Sequence, residues 1–166
     1  MQDSPFEKTV ILICHHDNEG AIGLVINRPD SIMVAEVLDE INLPKPANTG
    51  ESTWWGGPVG RNTCFVIWKG HASESEGWTI ASEIAVSQSV DRLRTLIEMQ
   101  KKFYLTVGYS GWGPQQLDEE IKRGSWLYAD ADPMLLFNTP CDDRYQEALR
   151  LLGLNQLNVW MQPIDE

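Results

Sequence analysis

Cysteine, histidine and aspartate stand side by side at 14-CHHD-17, and a serine sits among glycines at 108-GYSGWG-113. The first group holds residue types that ligate metals or form a thiolate–imidazole pair. On a strand, His15 and His16 point to opposite faces, so at most one of them joins Cys14 or Asp17 in a single coordination sphere. Cys14 and His16 share a face, but side chains two apart on an unbent strand are too distant for a good direct hydrogen bond. The structural alternative is a hairpin end closed by His16 and Asp17, with Cys14 buried as a small apolar side chain. The third histidine, His71, lies far away in a polar bend, so a zinc site would need remote parts of the chain.

The second group resembles layouts that grip phosphate, in which a strand runs into a glycine turn and a helix N-terminus. Gly108, Gly111 and Gly113 match neither GxGxxG nor GxxxxGK[ST], and no Lys or Arg follows before Lys122. Asp118, Glu119 and Glu120 place negative charge in the opening turns of the following helix, in competition with an anion. Ser110 has Gly108 two residues before it, as a nucleophile elbow requires, but Trp112 occupies the position where a second glycine belongs. A tight turn whose glycines let Trp112 pack closely is the alternative. Asn27 and Arg28 end a strand just before Pro29, at a rim where an arginine fork binds a carboxylate or phosphate, or pairs with a local acid. Seven tryptophans, Trp54 and Trp55 among them, are suited to stacking on a flat ligand, anchoring an interface or filling a core.

These residues sit in a chain of 166 residues, which fits one domain. Apolar runs such as 10-VILIC-14 fall far short of the roughly 20 residues that span a bilayer. The start, 1-MQDSPFEKTV-10, lacks the basic and apolar segments of an export signal, so a cytoplasmic location and no membrane partner are expected. Three dispersed cysteines form neither a disulfide framework nor a CxxC pair. A net charge of −11 repels phosphate backbones and disfavours direct nucleic-acid binding. No cofactor or metal is expected.

The elements that must position these groups follow from composition and periodicity. Residues 9–15 and 21–27 read as a hairpin around 16-HDNEG-20. Ser31 caps a helix with Met33, Val37, Leu38 and Ile41 on one face, and residues 44–52 form a loop. Strands are expected at 63–70 and 78–87, joined by a polar bend. A helix over 90–103 is capped by Ser89 and ends on Lys101 and Lys102. Then come a strand at 104–109, the glycine turn, a helix from Pro114 to Lys122, a strand at 125–130, an aromatic segment at 133–138, and a helix over 140–153 capped by Thr139. The mixture indicates an α+β core.

Taken in order, 14-CHHDNEGAIGLVINRP-29, 56-GGPV-59, 108-GYSGWGPQQLDEE-120, 126-WL-127, 131-AD-132 and 137-FNTP-140 resemble the AlgH/YqgE-like family of uncharacterised bacterial proteins over nearly the whole chain. The resemblance implies an α+β fold with a bifurcated, partly barrel-like β-sheet surrounded by helices, and no established activity. Members carry a transcriptional-regulator label from one branch named for alginate production, yet no helix-turn-helix is recognisable here. The family's typical motif has Glu, His and Asn after the cysteine and alanine at the position of Ser110. His16, Asn27, Arg28, Gly57, Trp112 and Glu120 are the matching polar or unusual positions. A non-catalytic binding or regulatory module is therefore expected, with a protein partner or small ligand held by Asn27, Arg28, Gly57, Gly111, Trp112 and Glu120 where their bends converge. The rival reading is a small-molecule hydrolase using Cys14 or Ser110 with His16.

Overall fold

The computed structural model describes residues 7–46 and 50–153. Its opening hairpin is β1 (Ile11–Asp17) and β2 (Gly20–Val25), paired antiparallel from Ile11↔Val25 to Asp17↔Gly20 with one bulge between Ile13 and His15. β3 (Pro29–Met33) follows, then helix α1 (Val34–Glu40) and β4 (Ser52–Trp55). A long strand β5 (Val59–Lys69) precedes the hairpin β6 (Gly77–Ile80) and β7 (Ile84–Ser87). Helix α2 (Val90–Glu98) leads into β8 (Tyr104–Trp112), and α3 (Gln116–Lys122), α4 (Pro133–Asn138), one 3-10 turn (Cys141–Asp143) and α5 (Arg144–Leu151) complete the chain.

The sheet path is β1-β2-β8-β5-β7-β6, and β4 adds a branch by pairing with β3 and with β8. β8 causes the bifurcation. Its first half lies parallel to β4 (Trp54↔Thr106) and antiparallel to β5 (Ile67↔Tyr104), whereas its last residues pair with β2 (Ala21↔Trp112, Gly23↔Ser110). The two ends of the path come back into contact through β1 and β6, where His15 stacks on Trp78 with ring centroids 6.4 Å apart. The result is a nearly closed barrel-like sheet in an α+β fold, in agreement with the architecture expected from the sequence. Its interior cluster includes Leu24, Phe65, Ile67, Ile84 and Val86, closed by Leu135 and Leu136 of α4. On the other face, Leu38 of α1 and Leu93 and Leu96 of α2 cover Val66, Trp68 and Leu105. That alternation along β5, with Phe65 and Ile67 inward and Val66 and Trp68 outward, explains why the strand is apolar on both sides.

Several expected elements are corrected. Ser31 caps no helix: it lies in β3, α1 begins one turn later, and Glu36 accepts the Met33 backbone N–H at 2.7 Å. The span 78–87 is the hairpin β6–β7, turning at Ala81 and Ser82, both left-handed (φ 52° and 63°) without a glycine to mark them. Ser89 does cap α2, accepting from the Arg92 N–H, but the helix stops at Glu98 because Gln100 turns left-handed (φ 57°), leaving Lys101 and Lys102 outside it. The glycine turn is no turn: 108–112 continues β8, since pairing with β2 holds those residues extended. No strand forms at 125–130, and 133–138 is a helix started by Asp132 and Pro133. Thr139 does not cap the last helix; its hydroxyl donates to the Met134 carbonyl at 3.3 Å. Part of the expected loop, residues 47–49, lies outside the described residues.

The polar bend before β6 is held by one ion pair whose pH dependence is readable. Glu76 accepts from Arg92 Nε at 3.0 Å and from Nη2 at 2.7 Å. Arg92's hydrogen bonds are the largest influence and hold the Glu76 carboxyl down to about 2, against 4.5 for a free glutamate. A depressed folded value means that the contribution is complete above 4.5 and disappears as pH falls toward 2. Glu76→Gln is expected to lower stability by about 1–2 kcal/mol at neutral pH. Urea unfolding of both proteins across this range should show the gap closing in acid.

Candidate functional site

The 14-CHHD-17 group is drawn apart by its strand. Cys14 falls at the β1 bulge, is buried, and has its thiol pushed up to about 12 by that burial. His15 closes the barrel seam on Trp78 and places Nε2 2.9 Å from Asp17 Oδ2. His16 instead reaches α3, with Nε2 3.1 Å from Asp118 Oδ1. His71 is exposed in the bend. Among the described residues, no three His, Cys, Asp or Glu side chains are grouped to hold a metal. Ser110 is 1% exposed and donates its hydroxyl to the Gly56 carbonyl at 3.1 Å. Its strand position is opposite Gly23, whereas His16 lies level with Ala21 and Trp112.

The six expected ligand-binding residues fall into two groups joined by β8. Asn27 clamps the entry to β1, accepting the Val10 N–H at 2.8 Å and donating to the Lys8 carbonyl at 2.9 Å. Arg28 lies over the Trp55 ring at 5.4 Å and donates to the Glu7 carbonyl, while its own carbonyl accepts the Trp55 N–H. Gly57, two residues on, packs its backbone against Tyr109 and Ser110. Further along β8, Gly111 is exposed, and the nearest atom to an added Cβ would be Tyr109 Cε2 at 3.8 Å. Trp112 and Glu120 form the second group. Glu120 accepts from the indole N–H of Trp112 at 3.0 Å, that of Trp126 at 2.9 Å and the amide of Gln116 at 2.9 Å. Burial raises the Glu120 pKa, but the hydrogen bonds from Trp126, Gln116 and Trp112 outweigh it and leave the carboxyl below its ordinary value. The two indoles meet edge to face at 6.0 Å.

Two concavities lie between these elements. One, of about 460 Å³, opens at the barrel mouth between Phe65, Trp78 and Tyr109 and is flanked by Glu74 and Glu76. The other, of about 620 Å³, lies between β4, the start of β8 and the α4–α5 connection. Its aromatic wall is a ladder, with Trp54 on Tyr104 (4.4 Å, 22°) and Tyr104 on Phe137 (6.3 Å, 20°). Against it lies Arg144, 3% exposed, with its guanidinium 4.4 Å from the Trp54 ring centre. Arg144 donates from Nε to the Thr139 carbonyl at 3.1 Å, from Nη2 to the Leu136 carbonyl at 2.9 Å and from Nη1 to the Ile26 carbonyl. It thereby ties the end of α4 to the end of β2, next to Asn27 and Arg28. Lys102 lies over Tyr104 at 5.3 Å, and Glu51 and Cys141 complete the polar lining.

A family model described as AlgH-like matches residues 1–157. This chain belongs to the AlgH-like family. Among relatives of the AlgH-like chain, the UPF0301 protein IL2218 of Idiomarina loihiensis is 41% identical, with 96% of this chain and 88% of that protein covered. The UPF0301 protein RSc0675 of Ralstonia nicotianae is 39% identical over 93% of this chain and 84% of its own length. The solution structure of the AlgH protein from Pseudomonas aeruginosa superimposes with a TM-score of 0.78 at 32% identity, covering 98% of this chain and 88% of the other. Among the described residues, no helix is long and apolar enough to cross a membrane.

Sequence reasoning on the AlgH-like chain overlooked the second cleft. Trp54 was visible only as one tryptophan among seven, and Arg144 as a polar residue in a terminal helix. One signal was available: Arg144 lies four residues before Ala148, hence on the apolar face of its helix, where a charge needs an explanation.

Proposed function

We propose that this AlgH-like chain is a non-catalytic binding module whose ligand, a small molecule or a segment of a protein partner, is taken into the cleft between Trp54, Tyr104, Phe137 and Arg144. The observation that carries this reading is the cleft itself, an open concavity of about 620 Å³ in which Trp54, Tyr104 and Phe137 face a lining that includes Glu51, Lys102 and Arg144. Asn27 and Arg28 support it from behind, because they follow Ile26, whose carbonyl Arg144 holds. The Gly57 contact packs the β4–β5 link against β8, and the Trp112–Glu120 cluster ties the end of β8 to α3.

Hydrolysis by Cys14 or Ser110 has weaker support. Burial pushes the Cys14 thiol up to about 12, which leaves little thiolate at neutral pH, and the Ser110 hydroxyl donates its hydrogen bond to the Gly56 carbonyl instead of to a base. His16 is bound to Asp118, away from the strand position of Ser110. Ser110→Ala is accordingly expected to cost about 1 kcal/mol of stability and leave ligand binding unchanged. A thermal-shift screen of metabolites against the wild-type chain should give hits that Ser110→Ala retains and Lys102→Ala weakens. Turnover of an ester or amide substrate that Ser110→Ala or Cys14→Ala abolishes would refute the reading.

A further inference from the structure

The cleft contains a cation whose described partners are all neutral: three backbone carbonyls and the faces of Trp54 and Tyr104. Arg144 is almost fully buried, yet its three described acceptors are neutral carbonyls, and none of the ion pairs among the described residues involves it. A guanidinium has five N–H donors, and the three described hydrogen bonds use one on each nitrogen. Lys102, on the same cleft, also has no carboxylate within ion-pair distance among the described residues. Arg61, Arg92, Arg94 and Arg150 each pair with a carboxylate, while Arg28 and Arg123 are in none of the described ion pairs; Arg144 differs from these two in being buried. A buried cation without a counter-charge is costly, and an anion arriving in the cleft would relieve that cost.

On the basis of the binding-module reading, we infer that the cleft takes an organic monocarboxylate bearing a flat apolar group. The carboxylate lies between Arg144 and Lys102, and the flat group lies along the Tyr104–Phe137 part of the aromatic ladder. Two cations against one lining carboxylate, Glu51, leave a net single positive charge. That balance suits a monoanion better than a phosphate dianion, which would also meet the repulsion of a molecule carrying −11. Stacking supplies the second element of recognition, because Tyr104 and Phe137 are only partly buried. The same chemistry is offered by a free aromatic acid and by a peptide ending in phenylalanine with a free C-terminal carboxylate.

Cys141 provides a reporter in the cleft. It is partly exposed there; burial raises all three thiols, to about 12 at Cys14 and about 11 at Cys64, and mass spectrometry reads the label on Cys141 separately from theirs. The test is calorimetric titration of the full chain together with iodoacetamide labelling of Cys141 followed by mass spectrometry. The probes are indole-3-acetate, neutral indole-3-acetamide, inorganic phosphate, and a pentapeptide ending in phenylalanine, as free acid and as amide. Indole-3-acetate or the free-acid peptide should bind at least tenfold more tightly than its amide and slow Cys141 labelling. Whichever of the two binds identifies the source of the carboxylate. Lys102→Ala should weaken binding about tenfold, and Glu51→Gln should strengthen it several-fold, a gain that misfolding does not produce. Equal binding of acid and amide with Cys141 protected, or preferential binding of phosphate, would overturn the carboxylate assignment while leaving the cleft a binding site. Binding that leaves Cys141 labelling unchanged, or no binding by any probe, would overturn the assignment, and the former would also move the binding site elsewhere.

Discussion

Gly57→Ala should destabilise the chain by about 3 kcal/mol or more, enough to threaten folding in a protein of ordinary stability. A Cβ at this position would lie 2.1 Å from the Tyr109 carbonyl oxygen, 2.2 Å from its carbon and 2.5 Å from the Ser110 nitrogen. All three atoms belong to the backbone of β8, which pairs with β2, β4 and β5 and so has no free direction in which to move. The backbone at Gly57 is also at φ 153°, a value that side-chain-bearing residues rarely adopt. The contact is reciprocal: a Cβ on Gly108 would lie 2.4 Å from the Gly57 oxygen, and one on Gly56 would lie 2.4 Å from the Gly108 oxygen. Gly111→Ala is the control, because the nearest atom to its Cβ is Tyr109 Cε2 at 3.8 Å. That substitution should change stability by no more than about 0.5–1 kcal/mol, with a gain the expected sign. Urea midpoints of the two variants give the comparison.

Arg144→Met should cost about 2–3 kcal/mol, since it removes the donor from three carbonyls at once, a loss only partly offset by no longer burying a cation. The Thr139 and Leu136 carbonyls lie at the end of α4 and the Ile26 carbonyl just beyond β2, so their loss should loosen the packing of α4 over the barrel interior. Arg144→Lys should recover part of the loss, because an ammonium donates to carbonyls but has no planar fork to span three of them. The exposed arginine of the same helix behaves differently. Arg150 is 66% exposed in its pair with Glu147, and Arg150→Met should move stability by less than about 1 kcal/mol. Chemical denaturation of all three variants checks the order.

The contrast between these residues shows where the sequence is readable. The β1–β2 hairpin was legible because β-branched residues flank a polar turn, and the start of α2 because Ser89 precedes the apolar stripe of Val90, Leu93, Leu96 and Ile97. Both signals are local. The end of α2 and the β6–β7 turn were not legible, because Gln100, Ala81 and Ser82 take left-handed conformations that composition assigns to glycine or asparagine. β8 was misread as ending in a turn because its last residues are held straight by β2, a partner nearly a hundred residues earlier in the chain. Of the candidate site residues, Trp112 and Glu120 proved to be hydrogen-bonded partners, while Asn27 and Arg28 support the opposite half of the barrel. The cleft was hidden because its lining comes from three separate segments and its defining feature is a buried cation with no carboxylate partner among the described residues, which no local pattern records.

The most direct test of a binding role centred on this cleft is a heteronuclear NMR titration of the wild-type chain with indole-3-acetate, following side-chain resonances. The Arg144 Nε–H and the Trp54 indole should shift together and saturate, with the Trp112 and Trp126 indoles unmoved. Saturating shifts centred on Trp112 and Trp126, with Arg144 and Trp54 silent, would contradict the account.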